Sequence, residues 1–541
     1  MGDTLGGSGA RSPGSTLRTR VARSPLVVPM LAATAIVALQ CWFQFSRASA
    51  QIDGVRWFWL DDDQMISMRY GRNLAEGLGL VWNRGDYVEG YTNPLWTLVM
   101  AAVHALGASD AHAALWVKLI NTGLELAVIG LALQLARQWR GVSSAALLLL
   151  AVLLAVCGDL GYWAQNGFEV PLLQVVFLLA LRQLVADDVA QRTRPWAYLF
   201  ASLLPLVRSD AAAPWLTIAA VALADPRDRK LKLTWLAASL LPMLAHVMWR
   251  HEYYGQWLPN TFYAKALDVP NRFNRSIEYL RRCGAAYAVP VLLAFIGARV
   301  RGDRWRVTLL SAGVATMFLY VMATGGDVFP FCRFAAWMVP PLLVMAVVAA
   351  DRDVADWRRP ALVVLAVLVA LQAGITRRSL LDSANGGPRA SIEVGLYLRR
   401  IAKPDAAVAV TAAGLVPYFS RLRAIDALGK CDAGVARLPS REGAPIGHGK
   451  FDANWSLRSR PEFVVALLSP SQVASGAREF LQMGELPEPQ HRYVFVESSL
   501  FRAQYLPNVL PMQGVARYAS LFVRADVAAK YGQPKPSTSL H

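Results

Sequence analysis

The 541-residue chain is 55% hydrophobic and only 17% charged, with 17 tryptophans and a mean hydropathy of +0.32. That is too apolar for an ordinary soluble protein and predicts a polytopic α-helical membrane protein. The formal charge of +17 comes from Lys and Arg gathered in short segments between apolar runs, the positive-inside pattern, so no nucleic-acid partner is expected.

Residues 1–24, rich in Gly, Ser and Arg, read as a disordered cytoplasmic tail. The apolar run 26–45 matches the ~20 residues of a membrane crossing. Ala48-Ser49-Ala50 is compatible with signal-peptide cleavage, but the many later spans favour a retained helix. The loop 46–112 then presents three adjacent carboxylates, Asp61, Asp62 and Asp63. Their mutual repulsion would be relieved by Arg69 and Arg72, within two turns if the segment is helical. The run 94–106 is too short for a crossing and reads as an interfacial or re-entrant helix.

Further spans are expected at 113–136, 143–157, 168–184, 196–207, 211–224, 231–249, 284–297, 307–323, 334–350 and 360–375, about eleven in all at ordinary bilayer thickness. This parity places every basic cluster on the side of the N-terminus, which the positive-inside rule makes cytoplasmic. The clusters are Arg137 with Arg140, Arg192 with Arg194, Arg227 to Lys232, Arg299 to Arg306, and Arg352 to Arg359. The pair 196–207 and 211–224 is read as a hairpin broken at Arg208-Ser209-Asp210, because a single crossing would bury both charges in lipid.

The polar motifs then share the extracytoplasmic side: the acidic loop with Glu89, Tyr91 and Asn93; Glu169; Arg208 with Asp210; Asn260, Tyr263 and Lys265; and Asp327 with Arg333. Any one of them alone is as well explained as an interface anchor or a helix cap. Five together favour a site at the membrane face. Residues 25–376 thus form the membrane domain. After it the pattern changes to short apolar runs punctuated by Gly, Pro and Asp, so 377–531 reads as an extracytoplasmic α/β domain over the site, with 532–541 a disordered tail. Its Gly447-His448-Gly449-Lys450 segment marks His448 as a binding residue. The five cysteines are scattered with no CxxC, so neither a disulfide framework nor a metal cluster is indicated, which leaves room for one Cys283–Cys332 bridge on the outer side.

The strings Asp62 to Leu74, Val88 to Asn93, Leu258-Pro259-Asn260-Thr261-Phe262-Tyr263-Ala264-Lys265, Gly325-Gly326-Asp327 and Gly447 to Lys450 resemble, in order, motifs of the GT-C membrane arabinofuranosyltransferase family, related to the terminal β-(1→2)-arabinofuranosyltransferase of the actinobacterial cell wall. This chain departs from the family pattern at Gly449, at Arg208-Ser209-Asp210 and after Asp327. The resemblance implies a multi-pass enzyme of the inner (plasma) membrane that moves a sugar, arabinofuranose first, from a polyprenyl-phosphate donor with inversion. Asp62 is then the expected base, with Asp63 as its neighbour or orienting group, and Asp61 a bystander. Lys265, Arg208 and Arg333, with Arg69 and Arg72, are the expected partners of the donor phosphate. Glu89, Tyr91, Asn93, Glu169, Asn260, Tyr263, Asp327 and His448 would line the substrate site. The acceptor is left open among a glycan, a lipid and a surface protein, and no cofactor or metal is assigned. Two alternatives stand beside this reading: a GT-C transferase for a mannose-type donor, and a lipid or polysaccharide transporter.

Overall fold

The computed structural model describes residues 25–139, 141–265, 270–301, 304–329, 331–353, single helical positions between 363 and 374, and 387–441, 444, 447–466, 494–495, 498–507 and 520–531. Chain order begins with α1 (Val27–Arg47), the hairpin β1 (Ser49–Ile52) and β2 (Val55–Phe58), α2 (Asp62–Ala75), α3 (Pro94–Ala105) and α4 (Ala113–Ala136). There follow α5 (Ser144–Val156), α6 (Gly158–Gln165), α7 (Val170–Val189), α8 (Trp196–Val207), α9 (Ala212–Ala224), α10 (Arg229–Ser239) and α11 (Leu241–Tyr254). Then come α12 (Asn260–Lys265), α13 (Arg272–Arg301), α14 (Arg304–Thr324) and α15 (Val339–Val348).

Six helical segments among the described residues are long and apolar enough to cross a membrane, seven if α5 and α6, bent by 45°, count as one broken span. The expected span 143–157 therefore continues past Cys157 around a bend. There Cys157 is extended, and the Phe331 ring lies where a side chain at Gly158 would be. The expected span 231–249 is likewise two helices, joined at Leu240 just ahead of Pro242. The expected span 360–375 lies outside the described residues apart from its isolated helical positions, as do both expected tails.

The C-terminal end of α6 explains why a lysine and an asparagine are buried in an apolar bundle. Lys118 Nζ donates to the Gln165 carbonyl at 2.9 Å, and Asn121 Nδ2 to those of Ala164 and Phe168 at 3.1 and 3.0 Å. Lys118 thus serves a carbonyl at the open end of α6, and Asn121 adds a donor to two carbonyls around the turn that follows.

The bundle has two chemically distinct ends. With 1.5 Å rise per residue, the 20-residue α7 spans roughly 30 Å, from Glu169 just before it to Asp187 and Asp188 in its last turn. At the Asp188 end the basic clusters meet: Arg227 pairs with Asp188 at 2.7 Å, Trp139 stacks on Trp305, and Arg306 lies over the Trp139 ring. At the Glu169 end lie α2, the turn 208–211 between α8 and α9, α12, and the 325–333 segment, which a Cys283–Cys332 disulfide fastens to α13.

The remainder packs onto that second end. It comprises α16 (Gly387–Ile401), β3 (Ala407–Val410), α17 (Leu415–Ser420), β4 (Arg423–Asp426), α18 (Ala453–Leu457), β5 (Phe463–Ala466), α19 (Ser499–Gln504), β6 (Tyr505–Pro507) and β7 (Ser520–Arg524). The sheet runs β4-β3-β5-β7-β6, parallel across β4, β3 and β5 and antiparallel beyond. An α/β unit is what the run of short apolar segments predicts.

Because the native cysteines are buried or disulfide-bonded, membrane-impermeant maleimide can read the orientation of the two ends cleanly. A cysteine at the exposed Arg400 is expected to label from outside the cell, and one at the exposed Asp228 only after permeabilisation. The reverse pattern would refute the parity.

Candidate active site

The three aspartates divide their work by the start of α2. Asp61 is the N-cap: its side chain accepts the Asp63 N–H at 3.1 Å, while Asp62 and Asp63 stand in the first turn, where the helix dipole favours anions. Burial, then the carboxylates of Asp63 and Asp62, push the Asp61 carboxyl up to about 7.

Asp62 turns to the α/β unit. Its two oxygens accept the N–H groups of Gly414 and Leu415, at 3.2 and 2.8 Å, at the start of α17. Gly414 is required for the approach, since a Cβ there would run into the Asp62 carbonyl. Asp63 faces cations instead: Lys430 Nζ at 2.5 Å and Lys265 Nζ at 4.0 Å. Burial pushes the Asp63 carboxyl up, but Lys430 and then Lys265 outweigh it and hold the group well below the usual carboxylate range. Burial also raises Asp62, which lacks such a direct ion pair.

A second network adjoins Asp63. Arg208 bridges Glu169 at 2.6 Å and Asp210 at 2.7 Å, Tyr320 donates to Asp210 at 2.7 Å, and Asn93 donates to Glu169 at 3.0 Å. Arg333 pairs with Asp327 at 2.7 Å and lies over the rings of Phe329 and Phe334. Its charge is felt at Asp63, Lys265 and Asp210. Among these cations Lys265 is the most loosely held, one-third exposed and, among the described residues, with only the 4.0 Å ion-pair contact to Asp63. Gly447, at φ +75°, packs against its stem, so the loop with the half-buried His448 adjoins it.

Several expected site residues serve the scaffold. Arg69 donates to the carbonyls of Trp82 at 2.6 Å, Leu422 at 2.8 Å and Pro417, and to Asn83 Oδ1 at 2.9 Å. Arg72 donates to the Tyr418 carbonyl at 2.7 Å and approaches Asp110 at 3.8 Å. Neither relieves the aspartates or is free for a phosphate: both are buried and spent on holding the α/β unit. Glu89 is buried against Arg250 at 2.5 Å, and Tyr91 against Tyr70 and Tyr254. Asn260 donates to the carbonyls of Gly429, Lys430 and Asp432, and so positions the lysine that meets Asp63. Tyr263 lies under the Arg437 guanidinium at 4.5 Å, and its carbonyl accepts Lys450.

Lys430 is the site residue that sequence reasoning missed. Its signal is modest: a lysine in the Gly-bracketed loop after β4, at the carboxyl edge of parallel strands, where α/β sheets place functional groups. Further ion pairs join the same two surfaces: Arg399 and Arg421 to Asp110, Arg421 to Glu76, Arg423 to Asp86 and Arg400 to Asp53. Among the described residues no group of three or more His, Cys, Asp or Glu could hold a metal ion.

The polytopic bundle with an α/β unit over a carboxylate–cation cluster shares its fold with solved structures of a membrane protein, ArnT. ArnT from Cupriavidus metallidurans bound to undecaprenyl phosphate superimposes with a TM-score of 0.57 over 92% of this chain and 99% of its own, at 13% identity. The apo state of the same protein gives 0.54 over 92% and 98%, at 15% identity. In sequence the chain is similar to the terminal β-(1→2)-arabinofuranosyltransferase of Mycobacterium tuberculosis (strain ATCC 25618 / H37Rv), 27% identical over 278 residues. That match takes in 49% of this chain and 42% of the relative, so less than half of the relative's length is spanned. Residues 381–518 match the family model of a domain of unknown function, DUF8728.

Two outcomes follow from the geometry. Arg69→Met removes charged hydrogen bonds to buried carbonyls, each worth about 1.5–3 kcal/mol, and should release the α/β unit to limited proteolysis while the bundle stays folded. Asp61, whose folded carboxyl is raised, contributes stability that is present below the ordinary Asp range and lost as pH rises through about 7. Asp61→Asn keeps a capping side chain and should lose less thermal stability than the parent between pH 4 and 7, as roughly judged from the ordinary Asp value.

Proposed function

We propose that the chain is an integral membrane GT-C glycosyltransferase that takes a sugar, arabinofuranose first, from a polyprenyl-phosphate donor at the extracytoplasmic membrane face. The observation that carries this reading is Asp63, a partly open carboxylate among Lys430, Lys265 and Arg333 at one end of an apolar bundle. A carboxylate to accept a proton and cations to receive a phosphate are the two needs of such a transfer. The kinship with ArnT bound to undecaprenyl phosphate supports a lipid-phosphate donor, and the similarity to an arabinofuranosyltransferase supports the sugar.

The step is a single displacement. An acceptor hydroxyl oxygen forms a bond to the anomeric carbon on the face opposite the phosphate, its proton passes to Asp63, and the C1–O bond breaks with its electron pair leaving on polyprenyl phosphate. Asp63 is preferred to Asp62 as the base because Asp62 already accepts two N–H groups that hold the cap domain. Resting Asp63 is a weak base, since its cations favour the ionised form. A phosphate arriving at Lys265, Lys430 and Arg333 competes for those cations and raises the proton affinity of Asp63 as the acceptor binds. Arg208, held by Glu169 and Asp210, orients this wall of the site.

Release of polyprenyl phosphate from purified protein, supplied with arabinofuranosyl or mannosyl donors, tests the proposal. Turnover of the arabinofuranosyl donor is expected. Turnover of the mannosyl donor alone would change the sugar, and lipid movement across vesicles without release from any donor would favour the transporter. Asp63→Asn should lose about 10²–10⁴-fold in single-turnover rate with donor affinity kept. An active Asp63→Asn beside an inactive, folded Asp62→Asn would return the base to Asp62. Lys265→Ala should weaken donor binding tenfold or more, the worth of about one charge-assisted contact.

A further inference from the structure

The end of the bundle away from Asp63 contains a cavity of about 290 Å³ that the transfer reaction does not use. It opens between the last turn of α7, the segment leading into α8, the end of α9, and the first turn of α14. Its acids are already neutralised: Asp187 by Arg194 at 2.7 Å, Asp188 by Arg227 at 2.7 Å, and Asp225 by Lys232 at 2.6 Å. Two lining cations, Arg192 and Arg304, have no side-chain partner among the described residues. The third unspent group is Tyr198, which is 3% exposed and lines the cavity, yet its hydroxyl has no hydrogen-bond partner among the described residues. A buried hydroxyl without a partner costs about 1–3 kcal/mol, so its retention in a cavity that Arg192 and Arg304 also line calls for an acceptor from outside the chain. Apolar wall comes from Leu184, Val185, Val221 and Trp305.

We infer that this cavity binds the phosphate of an anionic lipid headgroup from the leaflet at that end. Phosphate oxygens accept from both arginines and from Tyr198, the aliphatic walls receive the start of the acyl chains, and Trp305 sits at the depth where tryptophans gather at a membrane interface. A zwitterionic headgroup brings its own cation and so gains less from the two arginines. A soluble phosphate would meet the same three donors but not the aliphatic walls.

The test uses full-length protein in micelles, with bound lipid counted by native mass spectrometry. Phosphatidylglycerol, phosphatidylcholine and inorganic phosphate are titrated separately and in competition. Phosphatidylglycerol is expected to bind in preference to phosphatidylcholine. Its affinity should fall at least tenfold in Arg192→Gln/Arg304→Gln, whose exposed side chains can change without loss of fold, and detectably in Tyr198→Phe. Inorganic phosphate that binds with the same dependence on the arginines, and displaces the lipid, supports the anion site and identifies its occupant as soluble. Equal retention of phosphatidylglycerol by parent and double variant, or no preference over phosphatidylcholine, overturns the inference.

Discussion

The contact between Asp63 and Lys430, 2.5 Å long, with the lysine buried and the carboxylate partly open, joins two parts of the chain that are each incomplete without the other. A buried ion pair is a poor source of net stability, because removing both charges from water cancels most of their attraction. Its value is geometric. With Asp62 receiving the first N–H groups of α17 beside it, the pair fixes the register of the α/β unit on the bundle. The peripheral pairs from Asp53, Glu76, Asp86 and Asp110 to arginines of the cap follow the same sign throughout. An acidic loop lies under a basic cap.

The charges at the site are close to balanced, which shapes how an anion would enter. Glu169, Asp210 and Asp327 engage Arg208 and Arg333 at hydrogen-bond distance, and Asp63 engages Lys430. A phosphate therefore cannot occupy a vacant positive hole and must draw on cations that already have partners. Lys265 gives way most easily, having the longest contact and the most solvent. The rings around Arg333 keep that guanidinium flat and shielded without consuming its donors.

The apolar runs were legible as helices because a membrane span needs only length and hydropathy. The break between Cys157 and Gly158 was not, since it depends on a ring arriving from Phe331, far along the chain. At the site, Lys265, Arg208, Arg333, Glu169 and Asp327 could be named because each interrupts or borders an apolar run. Arg69 and Arg72 were misread because proximity to the aspartates along a helix does not say which face meets the cap. Lys430 was hidden for the same reason at longer range. It meets Asp63 across 367 positions, and nothing local to either residue records the pairing.

That separation also sets an order for synthesis. The acidic loop emerges among the first hundred residues and the lysine that completes it only after residue 400. Until then three crowded carboxylates stand beside a bilayer with neither their principal counter-charge nor their cap. If Asp63 acts as proposed, a nascent chain lacks half of that site until the α/β unit has been made. Until the α/β unit is made, the acidic loop therefore carries its negative charge without Lys430 to offset it.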